Sequence, residues 1–205
     1  YTEYINQLIA ENKPVQKDII KEYIDKQDNR LADLGERYYF KKNDIVNRLI
    51  YKYDNYGNKV IDEDATNNKL PSGWHKLLVD QKVGYLVGEP ITIGYKEEKD
   101  IEPIIDIVGE YFDDDLTELV KNASNKGRDW LHPYIDENGN FDYLIVPTQE
   151  FIPIYDNSKQ KNLIAGIRHY PLDQDDIIKV EYWTDKDVTY YEIINGKITL
   201  DTGQD

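Results

Sequence analysis

Apolar positions fall into three regimes along this chain: helical spacing at the start, an almost continuous apolar helix in the middle, and alternation at the end. Tyr4, Ile5, Leu8 and Ile9 make a short stripe. After the start signal Asn12-Lys13-Pro14, residues Val15, Ile19, Ile20, Tyr23 and Ile24 make a second at spacings of three and four. The polar stretch from Asp25 to Arg30 breaks or bends this helix, and Leu31, Leu34 and Tyr38 resume the stripe towards Tyr39-Phe40. The whole is expected to be an amphipathic antenna packed on the body of the protein or on a neighbouring subunit. A short helix or turn starting at Asp44 is expected between Lys41 and Leu49. The runs Ile50 to Tyr53 and Lys59 to Ile61 flank the turn residues Asp54 to Asn58, which reads as a hairpin. Asp62 to Asn68 is a polar connector.

The stretch from Asn67 to Ile93 organises the rest. It reads as a loop, a helix entered at Pro71 with Ser72 as N-cap, and a Gly-Glu-Pro turn into a strand over Pro90 to Tyr95. Trp74, Leu77, Leu78, Val79, Val83, Leu86 and Val87 occupy more than one helix face, so the helix is expected to be buried between other elements. Gly84 and Gly88, four apart, are read as close-packing sites, with a C-terminal cap as the second reading for Gly88. Beyond a charged turn over Lys96 to Asp100, Ile101, Ile104, Ile105 and Val108 mark a helix that tolerates Pro103 in its first turn. The next helix starts at Asp113, with Leu116, Leu119, Val120 and Ala123 as its buried stripe. Asp113, Asp114 and Asp115 sit at its positive end, Lys121 and Lys126 towards its negative end, and Gly127 at the stop.

From Trp130 the period becomes two. Strands are expected over Asp129 to Ile135, Phe141 to Val146, Phe151 to Tyr155, Leu163 to Tyr170, Ile177 to Thr184, Val188 to Ile194 and Lys197 to Leu200. They are joined at hairpin turns such as Asn138-Gly139, Asp185-Lys186-Asp187 and Asn195-Gly196. Helices first and an antiparallel meander later make an α+β fold. The expected division is a helical segment over 1–50, a hairpin and connector over 51–66, and an α+β domain over 67–205.

Charge narrows the function. Forty acidic residues against 25 basic ones give a net charge of -15, a surface that repels phosphate and argues against gripping nucleic acid as the main task. It remains compatible with letting nucleic acid pass without sticking. No cysteine is present, so disulfides, thiolate nucleophiles and cysteine zinc sites are excluded. No apolar run reaches membrane-span length and the start has no signal-peptide pattern, so the chain is expected to be soluble and without a membrane partner. Methionine is absent even at position 1, and the chain is read as a piece of a longer protein.

Residues able to carry chemistry reduce to structural roles. His75, His132 and His169 share no metal-binding spacing, and His75 is expected on a helix surface. The Asp113 to Asp115 cluster is accounted for by its helix N-terminus, with a divalent-metal hydrolase as the competing reading. Asp136 to Asn140 imitates a calcium loop but has Phe141 where that loop needs glycine and Pro147 where it needs its bidentate Glu. No phosphate loop or nucleophile elbow is present, so neither catalytic residues nor a cofactor are expected. The 18 tyrosines fit cross-strand pairs and protein interfaces better than base stacking, because no basic residues are interleaved with them.

The order of several motifs resembles the tailed-bacteriophage portal proteins of the SPP1 type. The motifs are Tyr38-Tyr39-Phe40-Lys41-Lys42-Asn43-Asp44-Ile45, then Asn67 to Leu70, then the block from Leu78 to Ile91, LVDQKVGYLVGEPI. Glu118 to Gly127, Ile152 to Asp156 and Ile167 to Tyr170 continue the colinear series. Departures from the family pattern stand at Glu89, where a basic residue is frequent, and at Asn43, where a histidine is. The resemblance implies a wing-like N-terminal part, with stem, clip and crown absent from this chain. It further implies a virion protein at the head vertex, assembled in the host cytoplasm into a ring of about twelve identical subunits. Double-stranded DNA would pass through that ring without sequence recognition, driven by a separate terminase, with scaffolding or capsid proteins and head completion proteins as partners. Trp74, Asp80, Gly84, Tyr85, Gly88 and Pro90 are the structural and assembly candidates. A protein-interaction adaptor built on the Tyr-rich sheet is the alternative.

Overall fold

The computed structural model describes residues 3, 5, 7, 8, 15–92, 107–172 and 176–203. In chain order the elements are α1 (Lys17–Asp25), α2 (Arg30–Tyr39), a 3-10 turn (Asp44–Asn47), β1 (Tyr51–Tyr53), β2 (Lys59–Ile61), α3 (Trp74–Val87) and α4 (Phe112–Lys126). They continue with β3 (Trp130–Ile135), β4 (Phe141–Val146), β5 (Phe151–Tyr155), β6 (Leu163–Leu172), β7 (Ile177–Trp183), β8 (Val188–Ile194) and β9 (Lys197–Leu200). The α+β class expected from the pattern is the class observed. Two compact units form, one from Tyr1–Asn29 with Ile145–Asp205 and one from Arg30–Leu144.

In the first unit, β5 to β9 make a five-stranded antiparallel meander in sequence order. Alternation places Ile154, Ala165, Ile167, Val180, Tyr182, Tyr191, Ile193 and Ile198 in one core, and Ile5, Leu8, Val15, Ile19 and Ile20 of the helical start close over it. The first part of the expected antenna, through α1, is therefore packed on this sheet, while α2 belongs to the second unit; the sheet face supplies the burial a short helix such as α1 needs to persist. On strand positions of the opposite parity, Arg168 pairs with Glu181 at 3.5 Å, while the Trp183 indole donates to Glu181 at 2.9 Å. Two partners make the burial of Glu181 tolerable. At the hairpin between β8 and β9, Asn195 and Gly196 have φ of 50° and 76°, the paired left-handed conformation that a type I′ turn requires.

The second unit packs α2, α3 and α4 together and carries two separate hairpins, β1-β2 and β3-β4. The tail is thus not one meander from Trp130. A turn at Pro147 to Glu150, with the Glu150 amide donating to the Pro147 carbonyl at 2.9 Å, separates β4 from the five-stranded sheet. Both β3-β4 and the meander alternate with the same period, so the pattern alone does not separate them. The break between α1 and α2 falls inside the polar stretch after Asp25, as expected, and the short helical turn starts at Asp44.

Several expectations fall outside the described residues: Tyr4, Ile9 and the start signal at 12–14, the charged turn, and the helix over 101–108 except Ile107 and Val108, which are helical. The strand expected over Pro90 to Tyr95 does not include 90–92, and 93–95 lie outside the description.

Candidate assembly surface

Helices α2, α3 and α4 of the second unit meet at small and polar contacts. A Cβ built on Gly35 of α2 would stand 2.2 Å from the Asn125 carbonyl oxygen of α4, so the two backbones approach as only glycine permits. Asn125 in turn hydrogen-bonds the His75 ring of α3 through Oδ1 and Nε2 at 2.7 Å, and the Tyr38 ring meets His75 edge-on. His75 is accordingly half-buried and tied to α4, not free on a helix surface. A second tie joins α2 to α3. The Tyr39 hydroxyl donates to Asp80 Oδ1 at 2.8 Å, Lys76 Nζ donates to the Tyr39 oxygen at 2.9 Å, and Lys76 pairs with Asp80 at 2.8 Å. The Lys76 hydrogen bond, then that of Tyr39, holds the Asp80 carboxyl below its ordinary value.

These contacts decide which side of α3 is covered. Val79 and Val83 are buried, with His75, Lys76 and Val87 partly so. The opposite side presents Trp74, Leu77 and Leu78, three and four apart, and Tyr85, seven beyond Leu78, with exposures of 69%, 45%, 63% and 90%. The helix was expected to be buried between other elements, and among the described residues α2 and α4 cover one of its sides. A helix apolar all round carries no sign of which face its own chain will cover.

The expected assembly residues separate accordingly. Trp74 and Tyr85 stand on the open stripe, while Asp80 is engaged with α2. Among the described residues no atom lies within 4 Å of a Cβ built on Gly84, so none of them packs closely there. Gly88 is the C-cap, with right-handed φ of -75° and ψ of -12°, and a Cβ there would fall 2.2 Å from the Gly84 carbonyl oxygen. Pro90 is exposed and lies outside any strand. The N-cap is Gly73 and not Ser72: the Leu77 amide donates to the Gly73 carbonyl at 2.9 Å, and no side chain caps the helix. Asn43 is buried and, with its amide nitrogen turned inward, donates to the carbonyls of Lys41 at 3.0 Å and Ser72 at 3.1 Å. It anchors the entry to α3. Gly35, Tyr39, Lys76 and Asn125 were not among the expected assembly residues, although Tyr39 and Asn125 lie in the family motifs and a lone glycine inside a helical pattern is a packing signal.

The acidic start of α4 is used structurally. Asp115 accepts from the Tyr143 hydroxyl at 2.9 Å, and Asp113 accepts from the Ile91 amide at 3.3 Å. Burial and the Asp115 contact push the Tyr143 hydroxyl up to about 12. Gly127 ends the helix with φ of 94°, and the expected stripe of Leu116, Leu119, Val120 and Ala123 is half-buried. Among the described residues no three His, Cys, Asp or Glu are grouped to hold a metal, and no helix is long and apolar enough to cross a membrane.

The profile of the family described as "Phage portal protein, SPP1 Gp6-like" matches residues 19–203. The portal protein of Bacillus phage SPP1 is 37% identical over 208 residues, covering 98% of this chain and 41% of that protein. The portal protein of Clostridium phage phiCD119 is 32% identical over 175 residues, covering 77% of this chain and 38% of that protein. The chain thus spans well under half the length of these curated relatives. With the match running through α1 to β9, the chain belongs to the SPP1 Gp6-like family of phage portal proteins.

Proposed function

We propose that this chain is part of a subunit of the ring at one vertex of a phage head, through which double-stranded DNA is packaged and ejected and to which head-tail connector proteins attach. The observation that carries the reading is the uncovered stripe of Trp74, Leu77, Leu78 and Tyr85 on α3, a surface that a ring subunit covers with its neighbour. Trp74, Gly84 and Tyr85 serve this contact directly. Asp80 holds α3 in place, and Gly88 and Pro90 shape the exit from the helix. The role is structural, with a terminase supplying the motor and the capsid or scaffolding and head completion proteins as neighbours in the virion. A net charge of -15 keeps such a conduit from adhering to the DNA that passes it. The adaptor reading has less to recommend it, because Tyr182 and Tyr191 of the Tyr-rich sheet are turned into its core. The flanking coding sequences test the proposal. A large terminase gene just upstream and a capsid maturation or scaffolding gene just downstream are expected, and the absence of both would overturn it.

A further inference from the structure

The β1-β2 hairpin is exposed at all six strand residues. Its register sets Tyr51 opposite Ile61 and Tyr53 opposite Lys59, so Tyr51, Tyr53 and Ile61 share one face, with Tyr56 at the tip 91% exposed. A two-stranded ribbon exposed on every residue is at best marginally stable in water. Either its apolar face is covered by something else or the ribbon is only transiently formed.

Charge indicates what covers it. Two copies at -15 each repel, so they meet best where neither carries negative charge. Along the α3 stripe, Trp74, Leu77, Leu78, Gln81 and Tyr85 are all uncharged, and the charge on the apolar hairpin face is the cation Lys59, which lies 4.3 Å from the Tyr51 ring centroid.

We propose that the Tyr51, Tyr53 and Ile61 face of the β1-β2 hairpin in one copy docks on the Trp74, Leu78 and Tyr85 stripe of α3 in the next copy. This rests on the ring reading and gives it a direction: two different surfaces meet head to tail, the arrangement that closes into a ring, whereas a stripe meeting its own like stops at a two-fold pair.

These 205 residues contain no cysteine, so the protein as its gene encodes it, with any cysteine outside them replaced by serine, allows a clean test. Asn55→Cys at the hairpin tip and Gln81→Cys on the α3 stripe are polar, exposed positions that leave the apolar residues intact. The two variants, distinguished by a tag, are co-expressed and treated with a short bis-maleimide. Covalent pairs containing one of each variant are expected, with little cross-linking in either variant alone. Rings that form without the mixed pair, or Gln81→Cys pairing mainly with itself, would overturn the docking proposal and leave the ring standing. No ring at all would overturn both. As a second arm, Tyr85→Glu is expected to abolish the mixed cross-link with unchanged far-ultraviolet dichroism. A cross-link that survives this change would overturn the proposal.

Discussion

Two helical glycines show how little of a residue's role its type alone conveys. Gly35 is pressed against the Asn125 carbonyl and Gly84 faces open space, yet both sit inside helical patterns. Alanine removes about 0.5 to 1 kcal/mol of glycine's helix penalty at either site. At Gly35 the added methyl also forces α2 from α4, an overpacking cost of about 1 to 3 kcal/mol. Gly35→Ala is therefore expected to lower, and Gly84→Ala to raise, the midpoint of urea unfolding of the unassembled chain. His169 gives a second residue-scale prediction. Its ring nitrogen meets Gln27 Oε1 at 2.5 Å, while the Gln27 amide nitrogen donates to Thr148 and Phe151 carbonyls, and burial holds the imidazole below its ordinary value of 6.5. The folded chain thus binds fewer protons than the unfolded one in this range. The stability owed to neutral His169 is complete above pH 6.5 and is lost as the pH falls from there through the lowered native value. Thermal unfolding of the wild type should show this decline relative to His169→Gln.

At the scale of elements, the turns were the most legible part of the sequence. Asp54 and Asp136 each begin an Asp-x-x-Gly-Asn hairpin turn. In both, Oδ1 accepts the amides two and four residues on, while the Asn side chain donates to Oδ2. The Asn140 amide above all holds the Asp136 carboxyl below its ordinary value, and the Asn58 amide does the same for Asp54. Asp136→Ala is expected to speed hydrogen exchange at the Asn138 and Asn140 amides while β6 to β8 exchange as before. Faster exchange throughout the meander would mean that the turn supports more than its own hairpin. Because such turns and the period of two leave few options, the strands from β5 to β9 end within two residues of their expected limits. What escaped was the facing of α3. Periodicity assigns sides only when polar and apolar residues separate around a helix, and here Leu77, Leu78, Val79 and Leu86 spread over most of the circumference. Tyr39 and Asp80 lie 41 residues apart, so their contact has no local signature.

For the whole molecule, the colinear motifs conveyed the family, whose profile matches residues 19–203, while periodicity conveyed only the α+β class. On the ring proposal, the exposed α3 stripe and the exposed hairpin are both covered by further copies. Electron microscopy of the protein as its gene encodes it, purified without other phage components, tests this most directly. Closed rings with a fixed subunit number are predicted, and particles that remain monomeric at high protein concentration would contradict the account.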